Sequence, residues 1–236
     1  MKNKLAEMKR ISLTLLFQLC LTTGWSQNYS VNPQQASMED YVKLLNFAKY
    51  EAFSFDVSSL VDSTRVFEFY YREYERENMV AEKRFCIYEN RTMISDFNEK
   101  DQKEIYEEGS AFDEANGVYK AAQKITVGFT PLKNDSTERA YVEIENMTDG
   151  GFYLPVRPAV NTKTGETHLE YLPRPYKVSN FEFNKFIPLA LYGSIWYDEK
   201  YDFFRMCGEN EIDPDNGSEM QKYMPHYYII GMVVRQ

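Results

Sequence analysis

The groups able to do chemistry are few and widely spaced, since the chain holds only two histidines and three cysteines. His168 and Glu170 flank Leu169. In a strand, residues i and i+2 project to the same side, so the two could serve as an acid–base pair or as two metal ligands. A zinc deaminase also has His-x-Glu, but with a downstream Pro-Cys-x-x-Cys that this sequence lacks. With no third ligand in view, an exposed His–Glu contact is the better reading. Ser194, in Tyr192-Gly193-Ser194, is not in a Gly-x-Ser-x-Gly elbow and lies inside an apolar strand pattern. Glu143 and Glu145 share one strand face, where a glycosidase pair could sit and where solvation alone also places glutamates. The segment Asp213-Pro214-Asp215-Asn216-Gly217-Ser218-Glu219 offers hard oxygen ligands, but its glycine is one place early for a calcium loop. A Pro-Asp-Asn-Gly turn accounts for it without metal. No catalytic residue, cofactor-binding residue or metal ligand is therefore assigned, and no cofactor is implied. His226 precedes the apolar final segment and is expected to cap it or to bond a backbone carbonyl.

Aromatic residues leave one ligand reading open. Trp196 and Tyr197, with Tyr192 and Tyr201 nearby, flank an expected hairpin, and aromatic faces on β-sandwiches can stack on sugar rings. Core filling accounts for most of the 19 Tyr and 16 Phe, so Trp196 and Tyr197 stand as the candidate ligand contacts.

The N-terminus differs in composition from the rest. Lys2, Lys4, Lys9 and Arg10 precede the apolar run Ile11–Leu21, and Gly24 and Ser26 put small residues at −3 and −1 of a cut before Gln27. Residues 1–26 thus read as a signal peptide, with Met8 as an alternative initiator to Met1 and the cut between Ser26 and Gln27. The apolar run is short for a membrane span of roughly 20 residues. The formal charge is −9 for the chain and −12 for the 210 residues after the cut, which argues against nucleic acid and anionic membranes as partners. Cys20 leaves with the signal. Cys86 and Cys207 remain, as one disulfide closing a long loop in an oxidising compartment or as two separate buried thiols. The expected location is periplasmic or extracellular.

The elements that would position these residues are mostly strands. Ser37-Met38-Glu39-Asp40 resembles a capping box, and Met38, Tyr41, Val42, Leu45, Ala48 and Ala52 follow at helical spacing, predicting an amphipathic helix to about Ala52. The period then changes to two at Phe53, Phe55 and Val57. Val66–Tyr74 and Arg84–Tyr88 read as paired strands. Ile125, Val127 and Phe129 face Ala140, Val142 and Ile144 across a hairpin with one wet face. Further strands are expected at Phe152–Val156, His168–Leu172, Leu189–Tyr197, Tyr201–Cys207 and His226–Val234, the last apolar on both faces and hence central. The acidic stretch Asn98–Glu108 reads as a surface helix. Roughly nine strands, counted this way, and one N-terminal helix predict a mainly β fold: a single domain over residues 27–236, an antiparallel two-sheet β-sandwich.

Tyr50–Leu60, Leu189–Ile212 and Pro225–Gly231 resemble segments of a family of uncharacterised exported proteins of gut bacteria. The resemblance extends over most of the chain after the signal. It implies export and a mostly β domain, and it assigns no catalytic residues. The expected function is a non-enzymatic binding or envelope-associated module that contacts glycans or another envelope protein. The alternative is a small secreted glycan hydrolase using a carboxylate pair. An adaptor that pairs through an exposed strand edge has the same sequence signature as the module.

Overall fold

The structure, a computed structural model, describes residues 38, 42, 45, 48 and 50–236, apart from 131–135, 146, 179–180, 207 and 215–218. The expected signal peptide, its cut at Ser26 and Gln27, and Cys207 lie outside the described residues. So does most of the expected N-terminal helix.

Two antiparallel sheets form the body. One has the order β1-β6-β7-β8, from β1 (Glu51–Asp56), β6 (Lys124–Phe129), β7 (Thr137–Ile144) and β8 (Thr148–Pro155). The other has the order β11-β12-β15-β2-β3, from β2 (Val66–Glu75), β3 (Asn78–Glu89), β11 (Tyr171–Pro175), β12 (Phe186–Ser194) and β15 (Tyr227–Arg235). Three short ribbons complete the strands among the described residues: β4 (Arg91–Met93) with β5 (Val118–Ala121), β9 (Ala159–Val160) with β10 (Thr167–His168), and β13 (Trp196–Asp198) with β14 (Phe203–Arg205).

The sandwich follows from the alternation. On β6 and β7, Ile125, Val127 and Phe129 lie opposite Ile144, Val142 and Ala140. They share one core with Phe67 and Phe69 of β2 and with Tyr228, Ile230, Met232 and Val234 of β15. The other face of β15 is covered as well. Tyr227 and Ile229 pack with Leu191, Trp196, Ile212, Met220 and Met224 in a second cluster, part of it from the short helix α2 (Glu219–Tyr223). β15 is therefore the central strand of its sheet and is buried on both sides, as its unbroken apolar run predicts.

A register shift decides which residues of β12 face the core. Between Pro188 and Ala190 the pairing with β15 slips, at a proline that has no N–H to offer the ladder. Ile187 enters the shared core before the shift, Leu189 at it, and Ala190 and Tyr192 after it. The slip is what turns the Tyr192 ring inward and sends Leu191 to the second cluster.

Several boundaries differ from the sequence reading. β1 takes Glu51 and Ala52 into the sheet, where the sequence reading ran the helix to about Ala52. The expected His168–Leu172 strand is two strands, β10 and β11, and Leu189–Tyr197 is β12 and β13 broken at Ile195. The acidic stretch forms helix α1 (Glu99–Glu108). Asn98 Oδ1 accepts the N–H groups of Lys100 and Asp101 at 3.1 Å each, and Gly109, with φ of 62°, closes the other end.

Candidate functional site

The β13–β14 hairpin is held by its own acids. Asp198 Oδ1 accepts the N–H groups of Lys200 and Tyr201 at 3.0 and 3.3 Å, an Asx turn that reverses the chain. Its Oδ2 accepts from Arg205 Nη1 at 2.6 Å. The Arg205 bond, with the two backbone bonds behind it, holds the Asp198 carboxyl below its ordinary pKa. Asp202 sits at the turn with φ of 59°, where it receives the Tyr197 hydroxyl and, at 3.2 Å, Lys163 Nζ. Trp196 anchors the hairpin from below. It is 7% exposed, belongs to the second cluster, and stacks on Tyr223 of α2 with ring centroids 6.1 Å apart.

Between this hairpin and α2 lies a groove of about 990 Å³. Trp196 and Tyr197 both line it, together with Tyr201, Tyr223, Arg76 and Thr162. Tyr201 and Tyr223 are the accessible rings, 55% and 62% exposed. The Lys200 ammonium and the Arg205 guanidinium lie 5.0 and 5.5 Å from the Tyr201 ring centre. Glu199 accepts from Thr162 Oγ1 at 2.7 Å on the same wall. The groove thus presents exposed ring faces beside donors and acceptors already held by their neighbours. Such a surface can stack on the C–H face of a sugar while hydrogen-bonding its hydroxyls. Sequence reasoning missed Tyr223 and Arg76, because α2 and the β2–β3 turn reach the hairpin only through the tertiary fold.

The remaining candidates are scattered. His168 Nε2 lies 3.5 Å from Glu170 Oε2, the exposed contact expected of that triplet. Among the described residues no group of three His, Cys, Asp or Glu side chains is placed to hold a metal ion. Ser194 ends β12 and is 1% exposed. Glu143 is exposed on β7, and Glu145 meets Lys124 Nζ at 3.0 Å. Cys86 is a half-buried free thiol on β3, and burial pushes its pKa up to about 12. Part of the Asp213–Glu219 segment lies outside the described residues.

His226 requires a correction. Among the described residues its ring meets side chains rather than a backbone carbonyl: Nδ1 lies 2.6 Å from the Tyr171 hydroxyl and Nε2 2.9 Å from Glu73 Oε1. Arg157 Nη2 reaches the same Glu73 oxygen at 3.2 Å. Burial lowers the imidazole pKa against the opposing pull of Glu73. The network ties β2 and β11 to the residue that precedes β15.

A third arrangement was invisible to motif reading. Glu138, 2% exposed, shares the inward parity of Ala140, Val142 and Ile144 on β7. It lines a cleft of about 400 Å³ that Glu51, Glu170 and the rings of Phe129, Tyr171 and Tyr192 also line. Extending the hydrophobic alternation of β7 by one step toward its start would have revealed it.

Two antiparallel sheets around a common core, with an aromatic groove built on an added hairpin, define a β-sandwich protein. The chain belongs to the family described as Domain of unknown function (DUF5041), whose model matches residues 20–236. No curated protein and no solved structure matches it. No helix among the described residues is long and apolar enough to cross a membrane.

Proposed function

We propose that the protein is an exported, non-enzymatic β-sandwich module that binds glycans through the groove between the β13–β14 hairpin and α2. The observation that carries this reading is the pair of exposed tyrosines, Tyr201 and Tyr223, in a groove whose polar side chains are already oriented by one another. Binding of this kind needs ring faces and fixed donors, not a reactive group. Export rests on the basic, apolar and small-residue succession within residues 1–27, and on the resemblance to exported gut-bacterial proteins. A glycan array probed with the purified protein, with pull-down on insoluble polysaccharides, tests it: retention on a subset of glycans is expected, and retention on none refutes it.

A second reading, a glycan hydrolase, is favoured by one observation: Glu51 and Glu138 line a common cleft, and burial raises the pKa of both. Against it, the Glu138 carboxyl already accepts from Tyr192 at Oε2 with Thr130 beside Oε1, and the cleft is small for a polysaccharide. Turnover of a polysaccharide that is lost in Glu138→Gln would place this reading first.

A further inference from the structure

Glu138 is a carboxyl group inside an apolar core, and its described partners are neutral. The Tyr192 hydroxyl donates to Oε2 at 2.8 Å, and the Thr130 hydroxyl stands 3.4 Å from Oε1. The backbone N–H of Arg139 completes the set. Among the described residues no cation pairs with it. Taking a carboxylate out of water without a counter-charge costs several kcal/mol. A leucine at this inward position would avoid that cost. The same carboxyl lines a cleft, and the described lining contains three glutamates and no lysine or arginine.

The geometry points to a small organic ammonium ion as the ligand of this cleft, paired with the Glu138 carboxylate. An inorganic cation needs several ligands converging on one point, which the described residues do not bring together here. An ammonium needs one anion and an apolar wall for its carbon chain. The wall is present: Phe129, Tyr192 and Tyr171 form a continuous stack, with centroid spacings of 4.8 and 5.1 Å, and Leu169 and Pro173 add aliphatic surface. The stack keeps water from the carboxylate, and an ion pair is stronger where the local dielectric is low. Tyr192 is held protonated by its own burial and by Glu138, so it donates to the carboxyl throughout the accessible pH range.

The charged and titratable groups around Glu138 come from four elements: Glu51 on β1, Glu170 before β11, Tyr171 on β11 and Tyr192 on β12. Arg174 acts on Glu51, and His168 lies against Glu170. With burial favouring the neutral acid, an entering ammonium displaces the Glu138 proton, and its affinity should rise with pH.

The test is a titration of the purified protein with n-butylammonium chloride, followed by amide NMR shifts and by calorimetry in two buffers of different ionisation enthalpy. Saturable shifts at Phe129, Thr130 and Tyr192 are expected, with affinity tightening as pH rises toward the raised folded pKa of Glu138 and proton release on binding below it. Glu138→Gln keeps an acceptor for Tyr192 and should weaken binding at least about tenfold. Glu143→Gln, exposed on the same strand, should not. Equal binding of butan-1-ol, undiminished binding by Glu138→Gln, or absence of saturation at about 100 mM would overturn the proposal. So would binding without proton release, a readout that survives if the variant fails to fold. Calcium chloride producing the same shifts would also overturn it. Failure of the glycan reading would leave these outcomes unaffected, because the groove and the cleft use different elements.

Discussion

Removing one oxygen, in Tyr192→Phe, should destabilise the protein by an amount that grows with pH. Tyr192 is 3% exposed, and its ring packs between Phe129 and Tyr171, so phenylalanine keeps the stack and loses only the 2.8 Å bond to Glu138. What remains for the carboxyl is the long Thr130 contact and the Arg139 N–H. Losing a bond to a neutral acid costs about 0.5–1.5 kcal/mol, and to an ionised one about 1.5–3 kcal/mol. Burial raises the folded pKa of Glu138, so the native state keeps a proton that the unfolded chain has released. Stability is therefore lost as pH rises from the unfolded value, about 4.3, through the folded one. The Tyr192 bond opposes that shift by favouring the ionised form, and deleting it widens the window. The expected cost is about 1 kcal/mol while Glu138 is neutral, rising to about 2 kcal/mol or more as pH passes through its folded pKa and it ionises. Urea denaturation followed by far-ultraviolet circular dichroism across that range measures it, in the wild-type and Glu138→Gln backgrounds. In the Gln background the cost should not vary with pH. A constant cost in the wild type, or the same pH trend in both backgrounds, would refute the reasoning.

Three further outcomes are expected. Gly231→Ala on β15 should cost about 1–3 kcal/mol, since the added carbon would stand 2.5 Å from the Ile187 carbonyl oxygen, which is backbone. For Gly128→Ala the nearest atoms belong to the movable ring of Tyr141, so it should cost less, and equal denaturation midpoints for the two would contradict this. Glu68 loses solvation, but bonds from Tyr70 and Arg235 and the charge of Arg84 leave its pKa lowered. Its contribution is present above the unfolded pKa and lost as pH falls through the folded one, so urea midpoints for Glu68→Gln should fall at neutral pH and not in acid. Trp196→Ala should cost about 3–5 kcal/mol because Trp196 is a core residue, and a thermal shift near zero would contradict that.

The sequence showed what depends on local alternation. The β6–β7 hairpin, the inward faces of β2 and the double burial of β15 all follow from runs of side chains whose period is two. The sandwich follows because such strands, apolar on one side, must cover one another. Less was legible where the chain departs from that period. The slip at Pro188–Ala190 changes which residues of β12 face the core, and nothing in the local pattern announces it. His226 was read by its place before a strand, but its partners Glu73 and Tyr171 come from strands far along the chain. Trp196 and Tyr197 were identified by type, and both line the groove. Its ring most open to solvent is Tyr223, which arrives from a five-residue helix. Glu138 was written in the parity of β7, but a charged residue at a strand's start is ordinarily taken as the end of its buried face.

The proposal that the groove binds glycans is tested most directly by affinity electrophoresis in gels carrying the polysaccharides that the array selects, comparing wild type with Tyr201→Ala/Tyr223→Ala. Both rings are more than half exposed, so the double variant should keep the wild-type melting behaviour. Retarded migration of the wild type and free migration of the variant are expected. Equal retardation of the two, with the variant folded, would contradict it.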